Sequence, residues 1–311
     1  MRWRVMMAGV LGVAVTPVPA AQAAPVSAAA PVDVVATVQR LKAQGSSVKV
    51  FQHTSVDWPH DPRGEDMPRG YCRGGGTGDP WMTGTARLGR GGVVAADMKR
   101  SMRFGKCTLQ FLREDAAAGD RRAGDLVKLD SAIHRVRSVG GVLYGAGPAY
   151  GGESWVKIGK HSGGAALYGD QIIDVFDLGT LKALVASATH NKPGSAVHDA
   201  DDRAIKKTWS YRGTTTFGKL FEMSKPFRTM LGGRLDPRFR GITVLWGIAT
   251  DLTGKPIVVQ ADWRPREGHP ADAVSIATRF SWDVKASITA PRTNRTGRDP
   301  YGDDVIDLYR S

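Results

Sequence analysis

The strongest constraint lies in the last third of the chain. Ile242, Val244, Trp246 and Ile248 take alternate positions up to Asp251-Leu252-Thr253-Gly254-Lys255, and Ile257, Val259, Ala261 and Trp263 alternate after it. Successive strand side chains point to opposite faces, so two such runs around a glycine turn predict an antiparallel hairpin. Val274, Ile276, Thr278, Phe280, Trp282, Val284 and Ile288 then fill every second position but one. This places Val274, Ile276, Phe280, Trp282, Val284 and Ile288 on one dry face, with Arg279, Asp283 and Lys285 on the wet one. At about 3.3 Å per residue the run would be roughly 50 Å long, so a bulge or bend is expected within it.

The rest of the chain fits a strand-rich fold. Thirty-eight glycines and 17 prolines disfavour a helical bundle, and 41% hydrophobic residues suffice for a core. No apolar stretch reaches the 18 residues of a conventional membrane helix. Val35, Val38 and Leu41 predict a helix over Val32 to Gln44, stopped by Gly45. Strand patterning follows from Val48 to Phe51. Trp58 to Trp81 reads as a long loop or irregular hairpin. Cys107, Leu109 and Phe111 alternate as a short strand; strands are also expected between Leu126 and Tyr144 and at Ser154 to Ile158. Asp177 is a fitting N-cap for a helix to Thr189, with Leu178, Leu181, Leu184 and Val185 as its stripe. Thr208 to Tyr211 is strand-like, Thr216 to Phe221 can turn helical, and His198 to Asp202 is a polar loop.

The first 23 residues read as a signal peptide, with Arg2 and Arg4 before an uncharged run from Val5 to Val15 and an Ala21-Gln22-Ala23 cleavage site. Residues 24–31 form a flexible lead-in, and 32–311 are expected to be a single domain. No lipid-modified cysteine stands near the boundary. The protein is therefore expected outside the cell or in its envelope. Two cysteines in an oxidising compartment favour a Cys72–Cys107 disulfide over a metal site, since no histidine neighbours either at ligand spacing.

Catalytic motifs are missing from the sequence. There is no Gly-x-Ser-x-Gly elbow and no His-Glu-x-x-His, and the glycine run from Gly74 to Gly78 lacks the ending of a phosphate loop. His190, His198, Asp199 and Asp201 form the one mixed cluster of ligand types, in a polar loop where solvated side chains are the commoner outcome. Asp303, Asp304 and Asp307 read as tail carboxylates, and Asn294-Arg295-Thr296 matches a glycosylation sequon by pattern. No metal or cofactor is expected. Lys and Arg number 43 against 30 Asp and Glu, a net charge of +13. The basic residues are dispersed among acids, and export argues against nucleic acid. Anionic lipid headgroups or an anionic cell-wall polymer are the better partners, beside the plainer reading of a solubilising surface.

Several segments together resemble the LolA/LppX/LprG-type exported lipoprotein carriers, especially the LprG-like proteins of high-GC Gram-positive bacteria. They are Glu153-Ser154-Trp155-Val156-Lys157-Ile158, Phe176-Asp177-Leu178 opening a helix, and Trp209-Ser210-Tyr211-Arg212-Gly213-Thr214. The hairpin through Asp251 and Gly254 follows, then Phe280-Ser281-Trp282 running to Ile288-Thr289-Ala290-Pro291. The match covers about 150–310. Two departures stand out: the lipobox cysteine is missing, and Asp283 stands where glycine is usual. The resemblance implies an α+β fold, a strongly curved antiparallel half-barrel with helices on its concave face. It also implies a non-enzymatic protein that binds a lipid or other apolar molecule between the two layers. Leu181, Leu184, Phe217, Leu220, Phe221, Phe280 and Trp282 are the candidate cavity lining. The same residues could instead pack on one another in a cavity-free sensory or protein-interaction module. A secreted hydrolase with an unrecognised site is the third alternative.

Overall fold

Asp33 caps the first helix: its carboxylate accepts from the backbone N–H of Val35 at 2.9 Å and of Ala36 at 3.1 Å. This helix, α1 (Val34–Ala43), buries Val34, Val38 and Leu41, and Gly45 at φ +65° follows it. The structure is a computed structural model that describes residues 32–57, 80–160, 170–264, 273–298 and Tyr309, without the side chains of Cys107 and Arg122. The signal peptide, the lead-in, Cys72 and the disulfide reading lie outside the described residues.

The strands in chain order are β1 (Ser47–Asp57), β2 (Trp81–Gly89), β3 (Gly92–Ser101), β4 (His134–Val139), β5 (Val142–Gly147), β6 (Gly152–Lys160) and β7 (His190–Gly194). After them come β8 (Val197–His198), β9 (Ala204–Ile205), β10 (Thr208–Thr216), β11 (Thr243–Asp251), β12 (Pro256–Trp263) and β13 (Ala273–Val284). Eleven form one sheet in the order β6-β5-β4-β3-β2-β1-β13-β12-β11-β10-β7, and all its neighbours pair antiparallel. β8 and β9 make a separate small hairpin. The helices are α2 (Lys106–Ala117), α3 (Arg121–Leu129), α4 (Leu178–Ala186), α5 (Phe217–Met223) and α6 (Lys225–Met230). The architecture is thus α+β.

The register fixes which side chains share a face. Val50 lies opposite Gly84 and Phe280, Gln52 opposite Met82 and Thr278, and Thr278 opposite Val259. These residues belong to the face that the helices cover. It carries one large cluster beneath α1, α4, α5 and α6 and a smaller one in which Leu129 of α3 meets Val136, Leu143, Tyr150 and Val156. The boundary runs between β3 and β4, where Met98 of the first cluster is paired with Val136 of the second.

The long C-terminal alternation of buried and part-exposed residues holds from Val274 to Phe280; Ser281 is buried as well as Trp282, and the register then breaks. Lys49 pairs with Ser281 but Ser47 with Val284, so β13 carries one extra residue there. This is a bulge of the expected kind, with Asp283 at φ +68°. Val284 is in consequence only half-buried, and Ile288 is buried beyond the end of the strand, so neither extends the dry face as the pattern predicted. The turn between β11 and β12 does use Gly254, at φ +81°.

Two expected strands prove to be helices. Cys107 to Phe111 lies in α2, and the stretch from Leu126 to Leu129 closes α3, whose start is set by Asp120 accepting from the backbone N–H of Ala123 at 3.2 Å. β4 and β5 then supply the rest of the expected strand segment.

Candidate ligand site on the helix face

α4 begins where the sequence places it. The carboxylate of Asp177 accepts from the backbone N–H of Thr180 at 3.0 Å and from its hydroxyl at 2.6 Å. The helix ends at Ala186, short of Thr189, with Leu181 and Leu184 fully buried and Leu178 and Val185 packed half-buried beside them. Thr216 caps α5 in the same way, its hydroxyl accepting from the N–H of Lys219 at 3.2 Å, and Phe217 and Leu220 turn inward.

All seven candidate lining residues fall in or against the large cluster. Leu181, Leu184, Phe217, Leu220 and Phe280 are fully buried, Trp282 is 7% exposed, and Phe221 is half-buried against them. Three of them belong to two aromatic groups. Phe280 and Trp282 meet Phe176 edge to face, at ring separations of 5.3 and 6.2 Å. Phe217 meets Phe227, Trp263 and Tyr309 at 5.4, 5.6 and 4.9 Å. The Trp282 indole N–H donates to the Pro256 carbonyl at 2.7 Å, which fixes that ring against β12.

Residues 170–175 lead into α4 and were not assigned from sequence. Ile172, Ile173, Val175 and Phe176 are fully buried, and the buried Lys42 ammonium donates to the Phe176 carbonyl at 2.7 Å. The run Ile-Ile-Asp-Val-Phe was the available signal, four apolar residues in five. Its ambiguity is physical, since so short a run has no readable period.

Polar side chains interrupted by Met82 cross the apolar face beneath that segment. His134 pairs across the sheet with Arg100, Arg100 with Met82, Met82 with Gln52 and Gln52 with Thr278. Gln171 Nε2 donates to Thr278 Oγ1 at 3.1 Å, and Thr278 donates in turn to Gln52 Oε1 at 3.3 Å. Thr54 donates to the buried Asp170 at 3.1 Å. Burial pushes the Asp170 carboxyl up, and the nearby Arg100 and the Thr54 hydroxyl pull against it. Burial also lowers the His134 imidazole, helped by the Arg100 charge.

The histidine and aspartate cluster is dispersed by the fold. His190 lies on β7 and His198 on β8, while Asp199 accepts from Arg203 Nε at 2.9 Å and Asp201 is bonded to Lys49. Among the described residues no three His, Cys, Asp or Glu side chains gather as a metal site, and no helix is long and apolar enough to cross a membrane. Scanned against protein-family models and searched against curated proteins, the chain matches none.

Proposed function

We propose that this is an exported, non-enzymatic binding protein for a lipid-like amphipathic ligand, built as a curved half-barrel of the LolA/LppX/LprG type. The observation that carries the reading is the helix face itself. It combines two apolar clusters with a buried row of polar groups at Gln52, Thr278, Gln171 and Asp170. A site for an amphipathic molecule needs that composition, apolar walls for the chain and a few placed polar groups for the head. Asp283 adds support. It stands where the resembling proteins carry glycine, and its φ of +68° is the backbone conformation that glycine favours.

A second reading has its own observation. Five of the seven candidate lining residues are fully buried against each other and against residues 172–176. That packing favours a cavity-free module of the same fold which senses or binds another protein in the envelope.

Native mass spectrometry of the secreted protein separates the two. The ligand reading expects a co-purifying mass of lipid size, displaced by a fluorescent fatty-acid probe. A ligand-free mass together with no saturable probe binding would overturn it in favour of the packed module.

A further inference from the structure

The cations on the sheet face opposite the helices are matched very unevenly between its two halves. On the β1–β13 side, Lys49 is bonded to Asp201, and Arg279 reaches Asp202 at 3.4 Å, both acids coming from the loop between β8 and β9. On the β2–β6 side the register lines up Arg87, Lys99, Arg135, Arg137 and Lys157 on that same face. Asp97, which is bonded to Arg137, and the exposed Glu153 near the start of β6 are the acids of these strands, against the five cations. Arg87, Lys99, Arg135 and Lys157 are exposed and make no ion pair among the described residues.

Aromatic rings sit among these charges. The guanidinium carbons of Arg135 and Arg137 each lie 4.9 Å from the centre of the Trp155 ring. Trp155 and Tyr144 are half-buried. The chain beyond β13 adds to the patch. Arg137 donates to the Thr289 carbonyl at 3.2 Å, and the Lys157 N–H donates to the Arg295 carbonyl at 2.8 Å, so the exposed Arg295 lies beside the edge of β6.

We propose that the β2–β6 half of this face is a docking surface for an anionic lipid bilayer. Unmatched cations attract the surface charge of anionic headgroups, and half-buried tryptophan and tyrosine suit the headgroup level of a membrane. The patch is broad. Five strands at about 4.8 Å spacing extend across roughly 20 Å, which suits a plane of headgroups better than a single polymer strand in a groove. The inference goes beyond the proposed ligand and does not depend on it, because docking and ligand uptake have separate readouts.

The test is co-sedimentation of the secreted protein with vesicles of phosphatidylcholine alone and of phosphatidylcholine with phosphatidylglycerol. Binding is expected to the anionic vesicles only, and to fall steeply as NaCl is raised. Each cation near such a surface is worth about 1 kcal/mol, so Lys99→Gln with Arg135→Gln should weaken binding roughly thirty-fold. Lys99→Gln with Lys157→Gln should do the same without disturbing the Trp155 stack. Lys182→Gln with Lys219→Gln, on exposed positions of α4 and α5, removes equal charge and should leave binding near that of the parent. Equal loss in all three pairs, or no binding to anionic vesicles, would overturn the proposal. Tighter capture by soluble inorganic polyphosphate than by the vesicles would overturn it in favour of a polyanion.

Discussion

The indole N–H of Trp263 donates to the hydroxyl of Tyr309 at 3.0 Å inside the core. Tyr309 is fully buried and meets the rings of Phe217 and Phe239 edge to face at 4.9 and 5.1 Å, and its carbonyl accepts from the Asp236 N–H at 3.3 Å. A residue two places from the end of the sequence is therefore core, and it ties the C-terminus to β12 and α5. Tyr309→Ala should cost about 3–5 kcal/mol, as removal of a buried aromatic ring does. Tyr309→Phe should cost about 1–2 kcal/mol, because it leaves the Trp263 N–H without its acceptor. Urea unfolding of both variants checks this, and a Tyr309→Ala midpoint equal to the parent's would contradict the burial.

The same residue sets an alkaline limit. Burial pushes the Tyr309 phenol up to about 12 from an ordinary 10.0, and the Trp263 hydrogen bond only partly opposes it. The folded state therefore holds the phenolic proton more tightly than the unfolded chain. Its contribution is fully present below pH 10 and is lost as pH rises from there through about 12. The loss amounts to about 3 kcal/mol. Thermal melts between pH 9 and 12 should show the parent falling more steeply than Tyr309→Phe. Parallel curves would refute it.

Asp283 pairs with Lys255 at 3.4 Å and is well exposed, so its side chain contributes little. Its backbone matters more. A residue with a Cβ at φ +68° is strained, and a β-branched one more so. Asp283→Gly should leave stability unchanged or raise it by up to about 1 kcal/mol, and Asp283→Val should lower it by about 1–2 kcal/mol. Denaturant midpoints in the reverse order would mean that the bulge is not at this residue.

The β8–β9 hairpin is held by Asp199. Burial alone would raise this carboxyl, but the Arg203 side chain and the backbone N–H groups of Arg203 and Asp201 outweigh it and hold it below 3.8. The stabilisation is present above the ordinary carboxyl value and disappears as pH falls beneath it through the lower folded value. Amide exchange of Asp201 and Arg203 should accelerate, relative to the amides of β11, as pH falls below 3.8 and the Asp199 carboxylate takes up its proton. Asp199→Asn should shift this onset away, and an onset that does not move would assign it to another group.

The parts of this fold that were readable in sequence are those where one local rule acts alone. Period two marked β11, β12 and most of β13, and Asp177 marked a helix start because an N-cap side chain satisfies N–H groups a few residues away. Misreading came where a short segment satisfies two periods. Cys107, Leu109 and Phe111 alternate, yet Leu109, Leu112 and Ala116 also recur at helical steps, and the helix-forming run Arg113 to Ala117 settles α2. Non-local placement was not readable at all. Nothing local in Ile172 to Phe176 says that Gln171 will bond Thr278, and nothing near Tyr309 says that Trp263 will be its donor. For the candidate site, the residue types were legible as apolar faces, but their mutual packing depends on partners more than 30 residues away in the chain, such as Phe176 for Phe280.

Leu184 distinguishes a packed interior from a ligand cavity most sharply. It is fully buried on α4 within the large cluster that also holds Leu181, Leu220 and Phe176. If the cluster is closed, Leu184→Glu strands a charge among apolar groups, and the cost of several kcal/mol should unfold the protein at ambient temperature. If the face opens to admit an apolar ligand, solvent entering with it can hydrate the carboxylate. The variant should then keep a cooperative melt while losing a fluorescent lipid probe. Leu184→Ala provides the control. It should cost about 2–5 kcal/mol in either case, and it adds space without charge, so an open site should still take up the probe. Melting curves and probe titrations of the two variants decide between the readings. A Leu184→Glu protein that melts like the parent and binds the probe as tightly would contradict both, since it would place α4's apolar stripe in water.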